Sequence, residues 1–263
     1  MSIIEISSPN DPRIIPYVDI RERDLTGRQH CFIAEGRVVI QVLIRSSCKL
    51  ESFLFSDKQR KFADEIITNL DPSVPVYIAS QSVLDAVAGF SVHRGLLAIS
   101  HKKPSITSTE LLYAMPDNAV VLAAIGIANH DNMGGIFRNA AAFGASAVLL
   151  DHTSCDPYYR KAMRVSVGGT LKVPFSTSED AQTILSNLQM NDFQVFALSP
   201  SGTIPLKNLP KSGRRAFLLG TEGAGLPTSI LSSVETVQIP IQNDFDSLNV
   251  ATASALALYE MFR

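Results

Sequence analysis

The C-terminal part of the chain alternates short apolar runs with polar loops that carry glycine or asparagine. The runs are Ala119 to Ile127, Ala147 to Leu150, Phe193 to Leu198, Ala216 to Leu219 and Val237 to Ile241. Apolar positions at helical spacing lie between them, such as Ile136, Ala140 and Phe143, with Gly144 as a C-cap. A strand without a polar face must be covered on both sides, so this pattern predicts a parallel sheet flanked by helices. Ser176-Thr177-Ser178-Glu179 reads as a capping box for a helix to about Leu188, and Ser247 to Phe262 as the final helix. Ligands of such sheets bind at the carboxyl ends of the strands.

The N-terminal part predicts a second α/β unit. Phe32, Val39, Leu43 and Ile44 have helix-like spacing within Gln29 to Ser46. Leu50 to Phe55 reads as a strand, Asp57 to Leu70 as a helix and Val74 to Ala79 as a strand. Gln81 to Ala88 is a short helix and Leu96 to Ile99 a closing strand. Lys102 to Thr109 is polar and contains Pro104, which marks the domain boundary. The predicted division is residues 1–103, a linker 104–114, and residues 115–263. Arg13, Arg21, Arg23 and Arg28 are candidate phosphate contacts, as guanidinium suits that role.

The chain has 263 residues, 46% of them hydrophobic, enough for two domains with substantial cores. No apolar run reaches the length of a membrane span, and Met1-Ser2-Ile3-Ile4-Glu5 lacks a signal-peptide pattern, so the expected location is cytoplasmic. Cys31, Cys48 and Cys155 are scattered and form neither a disulfide framework nor a metal-ligand pattern, so no metal is expected. The net charge of −2 means that any nucleic-acid contact must come from local patches.

Loops at predicted strand ends carry the chemistry. Asn129 to Asn139 runs from strand to helix and presents Asn132 and Arg138. His130 beside Asp131 reads as a solvated pair rather than a base. Gly220-Thr221-Glu222-Gly223-Ala224-Gly225 permits close backbone approach, but its glycine order is wrong for a dinucleotide fingerprint. Ile239 to Ala251 passes from a strand broken by Pro240 to a helix start, with Ser247 and Asn249 as polar groups there.

Together these loops resemble the SpoU/TrmH branch of the SPOUT RNA methyltransferases. Asn132, Gly134, Ile136 and Arg138 match its N-x-G-x-I-x-R pattern. Gly220, Glu222, Gly223, Gly225 and Leu226 match G-x-E-G-x-G-L. Ile239, Pro240, Ser247, Leu248, Asn249 and Val250 match I-P followed by S-L-N-V. His130-Asp131 replaces a more usual proline-containing pair, and Ala251 stands where serine is frequent.

The resemblance implies a C-terminal SPOUT domain whose parallel sheet ends in a trefoil knot, preceded by a small L30e-like α/β substrate-binding domain. The L30e-like match rests on Ser8-Pro9-Asn10, Phe32 to Gly36 and His93 to Ala98. It implies S-adenosylmethionine (SAM) as cofactor, with Gly220, Ile239 and Leu248 at contacting positions. It implies methyl transfer to a ribose 2′-hydroxyl of structured RNA, rRNA before tRNA, by a homodimer formed through the C-terminal domain. Arg138 is the implied catalytic residue, oriented by Glu222, with Asn132, Ser247 and Asn249 holding ribose and backbone. Arg160, Lys161 and Arg164 beside Tyr158-Tyr159 are further candidates for phosphate and stacking contacts. The alternatives are a SPOUT enzyme that methylates a base nitrogen and a catalytically silent RNA-binding protein. Intact Arg138 and Asn249 favour the ribose reading over both.

Overall fold

A computed structural model describes residues 3–18, 30–68, 70–221, 223–242 and 244–262. The chain divides into two compact units: residues 1–103 with 158–164, and residues 104–157 with 165–263.

The first unit holds β1 (Ile3–Ile6), β2 (Cys31–Glu35), α1 (Arg37–Ile44), β3 (Leu50–Ser56), α2 (Arg60–Ile67), β4 (Val76–Ala79), α3 (Gln81–Ala88) and β5 (Leu96–His101). Its sheet runs β1-β4-β3-β5-β2. β1, β4 and β3 are parallel, and β5 is antiparallel to both β3 and β2. β2 corrects the helix predicted across Gln29 to Ser46: the chain is extended at Cys31–Glu35 and helical only from Arg37. Cys31-Phe32-Ile33-Ala34 is a continuous apolar run, the mark of a fully buried strand, and helical periodicity begins only at Val39.

Residues 158–164 pack with this unit although they follow it by some distance in sequence. Tyr158 is buried, its ring 4.8 Å from that of Phe32. Arg160 donates to the Glu35 carboxylate and stacks 4.1 Å over the Phe90 ring. Arg164 reaches the same carboxylate at 3.6 Å. Glu35 is buried, and removing either cation would leave part of its charge uncompensated. Tyr158 is thus packed inside this unit and Arg160 is engaged with Glu35, while Arg164 keeps a side chain 39% exposed. Arg13 is exposed and paired with Asp11, whereas Arg21, Arg23 and Arg28 lie outside the described residues.

The second unit begins with α4 (Ser108–Tyr113), inside the stretch predicted as linker; Thr107 and Glu110 form its capping box. There follow β6 (Ala119–Ala124), α5 (His130–Phe143), β7 (Ala147–Asp151), α6 (Arg160–Val165, most of which belongs to the first unit), α7 (Gly169–Lys172) and β8 (Phe175–Glu179). The chain continues through α8 (Ala181–Met190), β9 (Gln194–Leu198), β10 (Ile204–Pro205), β11 (Arg214–Leu219), α9 (Thr228–Leu231), β12 (Glu235–Gln238) and α10 (Val250–Phe262). The sheet order is β10-β12-β9-β11-β6-β7-β8, and every pairing is parallel. Ser176 to Glu179 lies in β8 rather than at a helix start. Ser176 is buried opposite Leu149, and Asp180 is the true N-cap, accepting from Thr183 N at 2.8 Å.

α5 and α10 cross closely. A Cβ added to Gly135 would lie 2.6 Å from the Ala251 Cβ, so only glycine at residue 135 permits this separation. Asn139 Nδ2, one turn on, donates to the Ala251 carbonyl at 2.7 Å and to Ser254 Oγ at 3.0 Å. Gly135→Leu is expected to force the helices apart and lower the unfolding free energy by about 1–3 kcal/mol, the usual cost of overpacking. Urea denaturation checks this, and an unchanged midpoint and slope would contradict it.

Candidate functional site

The site begins with the ends of two helices. Asn129 Oδ1 accepts from Asp131 N at 2.8 Å and Asn132 N at 3.2 Å, which starts α5. Met133, Ile136, Phe137 and Ala140 then bury one face of that helix, each large side chain contributing about 1.5–3 kcal/mol. At the start of α10, Asn249 Oδ1 accepts from Ala251 N at 2.9 Å and Thr252 N at 3.2 Å. With the oxygen engaged there, the amide nitrogen is the group left to turn toward Asn132, and it donates to Asn132 Oδ1 at 2.8 Å. Asn132 is 5% exposed whereas Asn249 is exposed, so the bond is half-buried at the edge of the unit. One side chain therefore caps α10 and clasps α5.

Arg138 lies one helical turn beyond Gly135 on α5. It is exposed and makes no hydrogen bond or ion pair with a described residue. Its cation is free to meet an anion. Glu222, its expected partner, lies outside the described residues.

A cavity of about 440 Å³ opens at the carboxyl ends of β9, β11 and β12, a size suited to a small organic ligand. Leu198, Leu219 and Ile239 supply apolar wall; Gly220 and Thr221 supply backbone; Ser247, Leu248 and Val250 close the side. Gly220, Ile239, Ser247 and Leu248 are thus brought together. Arg138, Asn132 and Asn249 are not among the wall residues. Asn249 is nevertheless covalently between two of them, so the clasp on Asn132 ties the cavity wall to the helix of Arg138.

The loop after β11 is folded tightly. Thr221 N donates to Gly225 O and Gly225 N to Thr221 O, each at 3.2 Å. A Cβ at Gly220 would fall 2.4 Å from the Gly225 carbonyl carbon and 2.5 Å from Leu226 N. The paired Thr221 and Gly225 close the turn, and Gly220, Thr221, Gly223, Ala224 and Gly225 bring backbone to the cavity wall. Apolar wall with backbone donors and acceptors suits a flat heteroaromatic ring carrying polar edges, such as the adenine of SAM. Among the described residues, the one His, Cys and carboxylate grouping with metal-ligand spacing lies in the first unit.

A further network supports the loop between β6 and α5, and sequence reading missed it. Asp151, buried at the end of β7, accepts from Gly126 N at 2.8 Å and Ser154 Oγ at 2.6 Å, and from Thr153 Oγ1. Ser154 Oγ in turn accepts from Ile127 N at 3.0 Å. The sequence signal was an aspartate ending an apolar strand with a serine three residues on. Asn139 also escaped notice, although it lies on the helical stripe of Asn132 and Gly135.

The model of the SpoU rRNA Methylase family matches residues 119–259. An uncharacterized tRNA/rRNA methyltransferase of Mycobacterium bovis is 34% identical over 100% of this chain and 93% of its own. A 23S rRNA (guanosine-2′-O-)-methyltransferase of Acinetobacter baylyi is 28% identical, covering 81% of this chain and 89% of that one. The crystal structure of an AdoMet-bound rRNA methyltransferase from Sinorhizobium meliloti superposes with a TM-score of 0.81 at 22% identity, covering 98% of this chain and 97% of that one. Its likeness shows the fold.

Asp151→Ala takes the acceptor from the half-buried Gly126 amide and from the Thr153 and Ser154 hydroxyls, of which Ser154 keeps the Ala124 carbonyl. It is expected to lower the unfolding free energy by about 2–4 kcal/mol, with Asp151→Asn milder because an acceptor oxygen remains. Chemical denaturation of the two variants checks the order, and equal stability of Asp151→Ala and the parent would contradict it.

Proposed function

The chain belongs to the SpoU rRNA methylase family, and from that premise and the geometry of the cavity we propose that it transfers the methyl group of SAM to a ribose 2′-hydroxyl of RNA. The observation that carries the reading is the Asn249–Asn132 clasp, which joins the wall of a SAM-sized cavity to the helix bearing an exposed arginine that pairs with no described residue. The proposed RNA is rRNA before tRNA, which the 2′-O-methylating relative of Acinetobacter baylyi favours.

Bound SAM supplies an electrophilic methyl group on a sulfonium that departs as a neutral thioether. The residues of this chain do the rest. Gly220, Ile239 and Leu248 seat the cofactor against backbone and apolar wall, and Ser247 faces the same space. The ribose 2′-oxygen bonds the methyl carbon as the carbon–sulfur bond breaks and gives up its proton to solvent; this is an in-line displacement, so holding the acceptor oxygen in line supplies much of the rate. A guanidinium keeps its proton at any ordinary pH, so Arg138 acts on the developing oxyanion and a flanking phosphate rather than as a base. Glu222 is assigned by its motif to orient that guanidinium; its neighbours Thr221 and Gly223 line the cavity. Asn132 and Asn249 act as positioning residues, because their amides are engaged with each other and with the α10 start.

The wider proposal follows the same family. Residues 1–103 select the RNA as an L30e-like domain, and residues 115–263 perform the chemistry through a knotted SPOUT sheet. Leu256, Tyr259 and Phe262 expose apolar surface on α10, which supports pairing of two copies through the C-terminal domain. No helix of the described residues is long and apolar enough to cross a membrane, which accords with action on cytoplasmic RNA.

Arg138→Ala is expected to leave SAM affinity nearly unchanged and to cut turnover by about a hundredfold or more, the usual loss when a transition-state donor is removed. Arg138→Lys restores only part, since an ammonium lacks the planar fork. SAM calorimetry and methyl transfer at saturating RNA check both. Normal transfer by Arg138→Ala would contradict the catalytic role. Nucleoside analysis of the methylated RNA is expected to give a 2′-O-methyl product, whereas a base-methylated nucleoside would favour the other SPOUT chemistry. Light scattering on the full chain is expected to give a dimer, and a monomer at micromolar concentration would overturn the pairing.

A further inference from the structure

The first unit gathers residues that the sequence keeps apart. Cys31 on β2 pairs directly with His101 on β5, so both side chains share one face of the sheet. Glu51 is the extra residue of a β-bulge between Leu50 and Ser52 on β3, a device that re-aims a side chain. Its carboxylate reaches His101 Nε2 at 3.3 Å and Cys31 Sγ at 3.5 Å, and Sγ lies 3.5 Å from His101 Nδ1. One ligand atom from each residue falls within 4.8 Å of the others. We propose that Cys31, Glu51 and His101 form a binding site for a zinc-class divalent cation, separate from the methyl-transfer chemistry.

The donor set and its dimensions support this. Metal–ligand bonds of about 2.0–2.3 Å at tetrahedral angles place ligand atoms about 3.3–3.6 Å apart. The sulfur contacts of the trio already lie in that range, and a small turn of the imidazole presents one nitrogen to the metal. A thiolate, an imidazole and one carboxylate select zinc-like ions over calcium or magnesium, which take oxygen donors. Thiolate and carboxylate together balance a divalent charge. Cys31 is 3% exposed and anchors the floor, whereas the side chains of Glu51 and His101 are 40% and 38% exposed and leave an entry path. The fourth position is then open to water. Binding exchanges the Sγ–H bond for a sulfur–metal bond and releases the proton to solvent, so no oxidant or reductant is needed. The scattered cysteines predicted no such site because its ligands lie 20 and 70 residues apart along the chain.

Cobalt(II) added to the full chain tests the proposal, since a thiolate ligand gives a near-ultraviolet charge-transfer band. One cobalt per chain with that band is expected, and zinc should displace it. Cys31→Ser should abolish the band while far-ultraviolet circular dichroism stays unchanged. Glu51→Gln and His101→Ala should each weaken cobalt binding at least about tenfold, the least that loss of a site residue costs. Cys48→Ser and Cys155→Ser should keep both band and affinity. A parent protein without the band would overturn the site, as would a band that survives in folded Cys31→Ser or disappears in Cys155→Ser.

Discussion

The arrangement of the two helix starts depends on one side-chain amide. Asn249 caps α10 with its oxygen and holds Asn132 on α5 with its nitrogen. Without that second bond, the two helices would be joined by packing and by the Asn139 hydrogen bonds, with nothing tying their first residues directly. Packing alone tolerates small slides, and displacement chemistry does not, because misplacement by an ångström is costly to a near-attack geometry. The close crossing at Gly135 and Ala251 and the hydrogen bonds of Asn139 hold the same two helices one turn farther along. Asp151 fixes the loop that delivers α5, so support reaches Arg138 from both sides.

This arrangement leaves Arg138 exposed on a helix whose start and crossing are both fixed by hydrogen bonds. A cation in water gains little from a surface carboxylate, but one pressed against a phosphate and a developing oxyanion in a closing site gains much more. Keeping the guanidinium unpaired toward the described residues therefore suits a group whose partner arrives with the substrate. The cavity follows the complementary logic. It offers apolar wall together with backbone of the loop after β11.

Much of the second unit was legible because its signals are local. Apolar runs marked β6, β7, β9 and β11, and Gly144 marked the end of α5 through its left-handed backbone. β8 was misread because Ser176 to Glu179 satisfies a capping pattern, and only pairing with β7 makes it a strand. β2 was misread because seven-residue spacing from Phe32 to Val39 mimics a helix across a strand-to-helix junction. Roles that depend on contact across the chain were not legible. Nothing local shows that Arg160 is committed to Glu35, 125 residues away. Nor could sequence show that Asn249 and Asn132, 117 residues apart, engage each other.

The most direct test of the account is a double-mutant cycle on the clasp, read as single-turnover methyl transfer at saturating SAM and RNA. Asn249→Ser keeps an N-cap oxygen but cannot reach Asn132, and Asn132→Ala removes the acceptor. If the bond positions Arg138, either change alone forfeits it, and the double variant is scarcely slower than the worse single one. The coupling energy would then exceed about 1 kcal/mol. Losses that add to within about 0.3–0.5 kcal/mol would show that the two asparagines act independently, and the clasp would not be what aligns the site.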